Sequence, residues 1–249
     1  MYQVGIDIGS SAAKTVVLRD GEIWKTMEMA TGFSSRKTAD EIYHWLEREQ
    51  VIREDTRYGA TGYGRVSVPY ADKVITEITC HGKGAWKLFG KDGVVIDIGG
   101  QDTKGIVLKS GRVMKFVMND KCSAGTGKFL EVMTNRLGLT QKELSELASQ
   151  GKDVTISSMC TVFAESEVIS LIGKGTSRED IAYGVVESVA VKVAQLISQL
   201  GGNHYFLTGG LCEDEYVISR LSHALNAPVE SMPLARYAGA IGAALLSGE

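Results

Sequence analysis

The sequence predicts a mixed α/β fold made of two related lobes. One pattern occurs twice: an aspartate inside an apolar strand, followed after one apolar residue by a glycine turn, at Asp7 and at Asp97. Each pattern opens a meander of three strands, and predicted helices follow each meander. Because both meanders have the same order of elements, we infer an internal structural duplication. A chain of 249 residues is long enough for two lobes of ordinary size.

The individual elements follow from apolar runs, helical periodicity and turn residues. Strands are predicted where apolar and β-branched residues run between turn residues, at 2–8, 15–19, 22–30, 58–61, 93–98, 104–109, 112–119 and 205–208. Hairpin turns are expected at Asp20-Gly21 and at Ser110-Gly111. Helices are predicted where apolar residues recur at helical spacing, at 37–49, 127–137, 140–150, 161–173, 177–200, 213–225 and 237–246.

The composition excludes several classes of function. Hydrophobic residues make up 44% of the chain and charged residues 23%, a balance typical of soluble globular proteins. The net charge of −3 provides no basic surface, so no nucleic-acid partner is expected. No apolar run reaches the roughly 18 residues of a membrane span, and the first residues lack the features of a signal peptide. We therefore expect a cytoplasmic protein without a membrane partner.

The two aspartate turns predict a site for phosphate and magnesium. Asp7 and Asp97 lie among valines and isoleucines, where burying a lone carboxylate is costly. A hydrated Mg²⁺ would offset that cost, because it prefers oxygen ligands and keeps several waters. The turn glycines let backbone N–H groups approach phosphate oxygens, and Ser10 and Ser11 add hydroxyl donors. A lysine follows each aspartate by seven residues, and the pattern leaves open whether it contacts phosphate or is an exposed strand lysine.

A third segment, Phe206-Leu207-Thr208-Gly209-Gly210, is an apolar strand running into paired glycines, which suits an adenosine lying flat against backbone. With the two turns it resembles the ATPase superfamily of acetate and sugar kinases, heat-shock chaperones and actin, whose duplicated ribonuclease-H-like lobes close over a nucleotide. The segment 238–244 resembles the closing helix of that superfamily. The resemblance implies that Asp7 and Asp97 hold the waters of Mg²⁺. It also implies an ATP site formed by Gly9, Ser10, Ser11, Ala12, Gly99, Gly100, Gln101, Lys104, Gly209 and Gly210.

Within this superfamily the sequence favours an ATPase that uses water as its nucleophile. A sugar kinase needs a pocket for a polyol and a carboxylate base, and little inserted chain lies between the two turns to build one. Gln101 cannot act as a base but can orient an attacking water. We therefore expect Gln101, Asp7 and Asp97 to be catalytic, with Asp102 as the alternative base. The rival functions are a small-molecule kinase and a chaperone or assembly ATPase without redox chemistry.

Four cysteines, Cys80, Cys122, Cys160 and Cys212, lack the CxxC spacing of a zinc site. Cys122 and Cys160 are each predicted at a junction of loop and helix, where the helix N-terminus stabilises a thiolate. Two thiolates cannot complete a four-iron cluster, but a twofold dimer would bring four together. From this chemistry alone, cluster ligands, buried thiols and a redox pair all remain open. Cys80 and Cys212 are predicted to be packing residues.

Four strings of residues, DIGGQDTK, NDKCSAGTG, SMCTVFAESE and YAGAIGAAL, resemble one family. This family is the ATP-dependent activators of 2-hydroxyacyl-CoA dehydratases, within the BadF/BadG/BcrA/BcrD ATPases that include the ATPase subunits of benzoyl-CoA reductase. The resemblance covers nearly the whole chain. It implies a homodimer that binds one [4Fe–4S] cluster at its interface, with Cys122 and Cys160 of each subunit as ligands.

The same resemblance implies a function. A ferredoxin or flavodoxin would donate a low-potential electron, and the acceptor would be a 2-hydroxyacyl-CoA dehydratase or a related iron–sulfur enzyme. ATP hydrolysis would drive a conformational change that is coupled to the transfer. Residues 1–91 plus 234–249 would form lobe I, with the first phosphate turn and the closing helix. Residues 92–233 would form lobe II, with the second turn, the cluster cysteines and the adenosine turn.

Overall fold

The computed structural model describes residues 1–52, 54–157 and 160–249. It has an α/β fold with two five-stranded sheets, so the predicted fold class is confirmed. The chain divides into two compact units. The first unit contains Met1–Val95, Ile106–Phe116 and Leu234–Glu249, and the second contains Ile96–Gly105 and Val117–Pro233.

The first sheet is built on an antiparallel meander extended by parallel strands. Its strands are β1 (Tyr2–Ile8), β2 (Ala12–Arg19), β3 (Glu22–Ala30), β4 (Arg57–Thr61) and β5 (Lys73–Val74). The strand order is β3-β2-β1-β4-β5, with β1 antiparallel to β2 and parallel to β4. The central strand β1 is therefore hydrogen-bonded on both sides.

The second sheet repeats this order. Its strands are β6 (Gly93–Ile98), β7 (Thr103–Lys109), β8 (Arg112–Asn119), β9 (Tyr205–Gly209) and β10 (Val229–Glu230). Their order is β8-β7-β6-β9-β10, so β6 occupies the central place that β1 has in the first sheet. The predicted duplication is thus confirmed, and it extends to a fourth and a fifth strand in each copy.

The hairpin turns of the two meanders use the same backbone conformation. Asp20 and Gly21 have φ of 53° and 85°, and Ser110 and Gly111 have φ of 48° and 74°. Two successive residues with positive φ give the turn a twist that matches that of the strands it joins. Both predicted turns are confirmed.

Eight α-helices follow the strands in the described part of the chain. They are α1 (Ser35–Arg48), α2 (Glu77–Phe89), α3 (Gly127–Leu137), α4 (Gln141–Ala148), α5 (Thr161–Gly173), α6 (Arg178–Ile197), α7 (Glu215–Leu225) and α8 (Ala238–Ser247). Seven of these correspond to predicted helices, with ends that differ by a few residues. Helix α2 was not predicted.

Glycines explain both why α2 was missed and how it packs. A glycine inside a helix is unfavourable in isolation, and α2 contains Gly82 and Gly84. In the fold, α8 lies directly against α2, β1 and β4. A Cβ on Gly84 would overlap the carbonyl oxygen of Ala238, and one on Gly242 would overlap that of Cys80. Tertiary packing of two small-residue helices therefore outweighs the poor helix propensity of this segment.

The strands beneath α8 show the same constraint. A Cβ on Gly5 of β1 would overlap the carbonyl oxygen of Ala240, and one on Gly59 of β4 would overlap that of Ala243. The backbones of helix and sheet therefore touch without intervening side chains. The prediction of a closely packed small-residue helix at 237–246 is supported by this contact within the first unit.

No helix in residues 1–52, 54–157 and 160–249 combines the length and hydropathy needed to cross a membrane.

The contact between α2 and α8 predicts a large effect of a single methyl group. We expect Gly242→Ala to lower the free energy of unfolding by about 1–3 kcal/mol or more, because backbone atoms of Cys80 occupy the space that the methyl needs. Urea unfolding of the purified chain measures the change.

The matched control is Gly173→Ala in α5, where nothing lies within 4 Å of the added Cβ. We expect that variant to be neutral or slightly stabilising, since alanine favours helix. Equal stability of the Gly242→Ala variant and the unaltered chain would contradict the packing described above.

Candidate functional site

The first aspartate is buried near the end of the central strand of its sheet. Asp7 is the penultimate residue of β1 and lies opposite Lys14 of β2 and Thr61 of β4 in the two strand registers. It is 9% exposed. A carboxylate in such a place needs charged or polar neighbours, because burial of an uncompensated charge costs several kcal/mol.

Groups from three other segments of the first unit surround this carboxylate. His81 of α2 places Nε2 3.9 Å from Oδ2 of Asp7. A Cβ on Gly62 would overlap Oδ1, and a Cβ on Gly239 would overlap Oδ2. Gly62 has φ of 88°, a conformation that glycine adopts without strain. Glycine thus allows two backbone segments to approach both oxygens of the buried carboxylate.

The second aspartate has an equivalent setting in the second unit. Asp97 is the penultimate residue of β6 and is 3% exposed. The hydroxyl of Thr208 donates to Oδ1 of Asp97 over 3.2 Å. A Cβ on Gly209, which has φ of 85°, would lie 2.8 Å from the same oxygen. A Thr-Gly pair therefore ends β9 beside Asp97, as Thr61 and Gly62 end β4 beside Asp7.

The turns that follow the two aspartates are closed by the same hydrogen bond. The backbone N–H of Gly9 donates to the carbonyl of Ala12 over 3.1 Å, and that of Gly99 donates to Asp102 over 2.9 Å. Three residues of these turns, Ser10, Ser11 and Gln101, are exposed. The structure therefore presents the predicted phosphate residues on two matching turns, and their binding roles stay predictions.

The two lysines differ sharply. Lys104 is 3% exposed, and its Nζ lies 2.7 Å from Oδ1 of Asp102 and 3.5 Å from Oδ2 of Asp97. The alternative of an exposed strand lysine is thus wrong for Lys104. Lys14, its counterpart, is half-buried. The buried ammonium group of Lys104 thus lies within ion-pair distance of two carboxylates, which offsets part of the cost of burying them.

Cys122 and Cys160 are both exposed thiols. The alternative of buried thiols is therefore wrong for this pair. Cys160 is the N-cap of α5, as predicted for a junction of loop and helix. Cys122 precedes the N-cap of α3, which is Thr126, by four residues, so it lies in the loop that leads into the helix predicted at 127–137. The two residues before Cys160, at 158–159, lie outside the described residues.

A hydrogen bond joins the loops that carry these cysteines. The hydroxyls of Ser123 and Thr161 lie 2.7 Å apart, and each belongs to the residue that directly follows one of the cysteines. Because Ser123 and Thr161 are 38 positions apart in sequence, the proximity is a product of the fold. The structure thus brings Cys122 and Cys160 to neighbouring loops of one unit.

The other two cysteines are buried. Burial raises the pKa of the Cys80 thiol to about 12. A thiol with such a pKa stays protonated near neutral pH and is a poor metal ligand. Burial of Cys80 and Cys212 agrees with the packing role predicted for both.

Several residues of the site were missed by the sequence analysis. His81 was considered only as a neighbour of Cys80, where two adjacent residues make a poor chelate, and it was not assigned to the Asp7 site because its helix was not predicted. The Thr-Gly pairs at 61–62 and 208–209 carried a visible signal, since each follows a short apolar strand. Aligning the third glycine segment with residues 60–64 would have revealed this part of the duplication.

The comparison with known proteins decides the family. Residues 4–247 match the BadF/BadG/BcrA/BcrD ATPase family. The chain belongs to this family. It is 44% identical over 250 residues to the (R)-2-hydroxyglutaryl-CoA dehydratase activating ATPase of Acidaminococcus fermentans, which covers 98% of this chain and 96% of that protein. Membership in an ATPase family supports ATP as the bound nucleotide.

Solved structures agree with this assignment. The crystal structure of the Acidaminococcus fermentans (R)-2-hydroxyglutaryl-CoA dehydratase component A has a TM-score of 0.93 at 43% identity, covering 99% of this chain and 97% of that one. The activator of 2-hydroxyisocaproyl-CoA dehydratase from Clostridium difficile, with bound ADPNP, has a TM-score of 0.92 at 36% identity, with coverages of 99% and 94%.

A glucokinase of the ROK family from Streptomyces griseus shares the fold alone, with a TM-score of 0.67 at 15% identity and coverages of 100% and 99%. The predicted relation to the sugar-kinase superfamily is thus confirmed at the level of fold.

The chemistry of the exposed cysteines fits half of a cluster site in this BadF-type ATPase. Two thiols on hydrogen-bonded neighbouring loops supply two of the four thiolates that a [4Fe–4S] cluster takes. In the described ranges, no group of three or more His, Cys, Asp or Glu side chains forms a metal site by itself. A cluster would therefore need ligands from a second copy of the chain.

The hydrogen bond from Thr208 to Asp97 predicts that removing the hydroxyl of Thr208 lowers the stability of the fold. We expect Thr208→Val, which keeps the shape of the side chain, to lower the free energy of unfolding by about 1–3 kcal/mol, because a buried carboxylate oxygen loses a hydrogen bond. Urea unfolding measures the loss.

Thr208→Ser retains the hydroxyl and serves as the control, with an expected loss smaller than that of the valine variant. If valine and serine destabilise the chain equally, the hydroxyl does not stabilise Asp97.

Proposed function

We propose that the chain is an ATP-hydrolysing iron–sulfur protein that passes a low-potential electron to a partner enzyme. The observation that carries the proposal is the pair of exposed thiols, Cys122 and Cys160, on hydrogen-bonded loops in the same unit as the second phosphate turn. Exposed thiols on a protein of this family are suited to binding a shared metal cluster rather than to packing.

The aspartates are proposed to hold the waters of a magnesium ion. Asp7 and Asp97 each present a buried carboxylate at the end of a central strand, next to a glycine turn. Turn amides at Gly9 to Ala12 and at Gly99 to Gln101 would donate to the phosphate oxygens of ATP. Lys104 would balance the charge of Asp97 and Asp102, and Gly209 and Gly210 would lie against the adenosine.

Gln101 is the better of the two groups for orienting the attacking water. Its side chain is exposed on the second turn. Asp102, the alternative base, lies 2.7 Å from the ammonium group of Lys104. That contact engages the Asp102 carboxylate with a cation, whereas the Gln101 amide is on the exposed side of the turn. We therefore assign the water-positioning role to Gln101.

The thiolates of Cys122 and Cys160 would hold a [4Fe–4S] cluster together with the same residues of a second subunit. When bound, the cluster supplies a one-electron carrier of low potential. The cysteine loops contribute exposed ligands, and the N-terminus of α5 stabilises negative charge at Cys160. One cluster per homodimer follows from two thiolates per chain.

The proposed acceptor is a 2-hydroxyacyl-CoA dehydratase or a related iron–sulfur enzyme. This assignment rests on relatives whose names describe them as activators of such dehydratases. A ferredoxin or flavodoxin is the proposed donor, since both carry one electron at low potential. The protein is proposed to be cytoplasmic. Its proposed lobes are residues 1–91 with 234–249, and residues 92–233.

The cysteine ligands are tested by substitution. We expect Cys122→Ser and Cys160→Ser, purified without oxygen, each to lose bound iron, which the unaltered chain should hold at about two atoms per chain. Three measurements check this: the visible absorbance of the cluster, analysis of iron and sulfide, and electron transfer to a dehydratase.

Cys212→Ala is the matched control, because Cys212 is buried and should not contribute a ligand. A double variant at positions 122 and 160 that keeps iron and electron transfer would refute the proposal. A colourless unaltered protein that phosphorylates a small molecule would instead support the kinase rival.

The water-positioning role is tested by a pair of variants. We expect Gln101→Ala to lower kcat for ATP hydrolysis by about 10- to 100-fold, with nucleotide affinity changed less than about threefold, because only the orientation of water is lost. Asp102→Asn keeps the size of its side chain and should retain hydrolysis within about fivefold of the unaltered chain. The reverse pattern would assign the role to Asp102.

A further inference from the structure

The second phosphate turn is bonded directly to the start of α3. The N–H of Gly127 donates to the carbonyl of Gly99 over 2.9 Å, and the N–H of Lys128 donates to that of Gly100 over 2.8 Å. These donors belong to the first turn of the helix and would otherwise lack an intrahelical partner. A displacement of the phosphate turn must therefore move the helix start or break both bonds.

The segment between Cys122 and α3 is also fixed to the phosphate-turn strand. The buried hydroxyl of Thr103, which begins β7, donates to the carbonyl of Gly125 over 2.6 Å. Thr126 donates twice to the carbonyl of Ser123, from its hydroxyl over 2.7 Å and from its N–H over 3.1 Å. The segment is thus bonded to β7 through Thr103 and is also closed by its own bonds between Thr126 and Ser123.

Asn119 fixes the loop on the other side of Cys122. Its Nδ2 donates to the carbonyls of Cys122 and Ala124 over 2.8 and 3.0 Å, and its Oδ1 accepts from the N–H of Cys122 over 3.3 Å. One side chain therefore bonds both backbone groups of Cys122. The loop that carries this cysteine is built to move as one piece with its neighbours.

The contact from this loop to the second cysteine is the pair of hydroxyls at Ser123 and Thr161, 2.7 Å apart. Thr161 is the first residue of α5, and the carbonyl of Cys160 accepts from the N–H of Ala164 at the start of that helix. The Ser123–Thr161 bond thus connects a loop fixed to the phosphate turn with the N-terminus of the helix capped by Cys160.

We propose that Ser123 and Thr161 are positioning residues that transmit the state of the second phosphate turn from Cys122 to Cys160. The inference rests on the function proposed above and specifies how nucleotide binding reaches both thiols within one subunit. In this arrangement a shift of Gly99 and Gly100 displaces the start of α3 and the loop that carries Cys122. The hydrogen bond between Ser123 and Thr161 then displaces the N-terminus of α5, where Cys160 lies.

A second link, between α3 and α5, allows the relay role of the Ser123–Thr161 bond to be tested apart from any role in holding these helices together. Arg136 near the end of α3 donates from Nε to Glu165 of α5 over 2.9 Å. This pair ties the helices together away from the cysteine loops, so it preserves their packing when the hydroxyl bond is removed. Loss of Ser123 or Thr161 should therefore uncouple the cysteines without unfolding the unit.

The test measures the reactivity of each cysteine in the full chain after the cluster has been removed, with and without the ATP analogue AMP-PNP and Mg²⁺. Alkylation by iodoacetamide is followed by mass spectrometry at Cys122 and Cys160 separately. In the unaltered chain we expect AMP-PNP to change the rate at both positions by about fivefold or more. In Ser123→Ala and Thr161→Val the change should persist at Cys122 and fall below about twofold at Cys160.

Conservative and matched variants control the experiment. Thr161→Ser and Ser123→Thr keep a hydroxyl and should restore the response at Cys160. Ser166→Ala removes an exposed hydroxyl of α5 whose bond, among residues 1–52, 54–157 and 160–249, runs within its own helix to the carbonyl of Val162, and it should respond like the unaltered chain. Affinity for AMP-PNP, measured by calorimetry, should stay within about twofold in all variants.

A second arm uses the chain with its cluster bound. The rate at which a ferrous chelator removes iron should depend on AMP-PNP in the unaltered chain and lose most of that dependence in Ser123→Ala. A response at Cys160 that survives in Ser123→Ala and Thr161→Val overturns the relay, and so does an unaltered chain without any response. Absence of iron from the unaltered chain refutes the proposed function instead, and the alkylation arm still decides the relay.

Discussion

Each sheet buries one carboxylate inside an otherwise apolar central strand. Burying that charge is costly, and the surrounding residues offset the cost. Asp7 and Asp97 lie 9% and 3% exposed at the ends of β1 and β6. Such groups are tolerated only with compensation from hydrogen bonds or opposite charge. Gly62 lets the backbone approach the carboxylate of Asp7, and Gly209 does the same at Asp97. A glycine turn begins two residues after each aspartate. Each buried carboxylate therefore stands near the end of its strand, close to a glycine turn.

The two buried aspartates have different groups beside them to offset the cost of burying their charge. Asp7 lies near an imidazole, at 3.9 Å from His81, whereas Asp97 accepts from Thr208 and faces the ammonium group of Lys104. The second copy is also the one bonded to the loops that carry the exposed cysteines. The duplication thus places one buried carboxylate beside α8 and the other in the half of the chain that carries the exposed cysteines.

Local chemistry made much of this architecture predictable. The meanders, their glycine turns and Asp7 and Asp97 follow from residue pattern, since each depends on neighbours in sequence. Helix α2 did not, because its glycines are unfavourable until α8 packs against them. The hydrogen bond between Ser123 and Thr161 did not either, because these two residues lie 38 positions apart in the chain. Sequence patterns predict the elements and the chemical types, whereas tertiary contacts decide which of them meet.

The close contact of α8 with β1 and β4 has a consequence for biosynthesis. Residues 238–247 cover strands that are made among the first 61 residues, and Gly239 stands beside the carboxylate of Asp7. While a ribosome is still translating the middle of the chain, one face of this sheet has no covering helix. The apolar face then stays open to chaperones or to other nascent chains. The surroundings of the Asp7 carboxylate are consequently completed only after Gly239 has been synthesised.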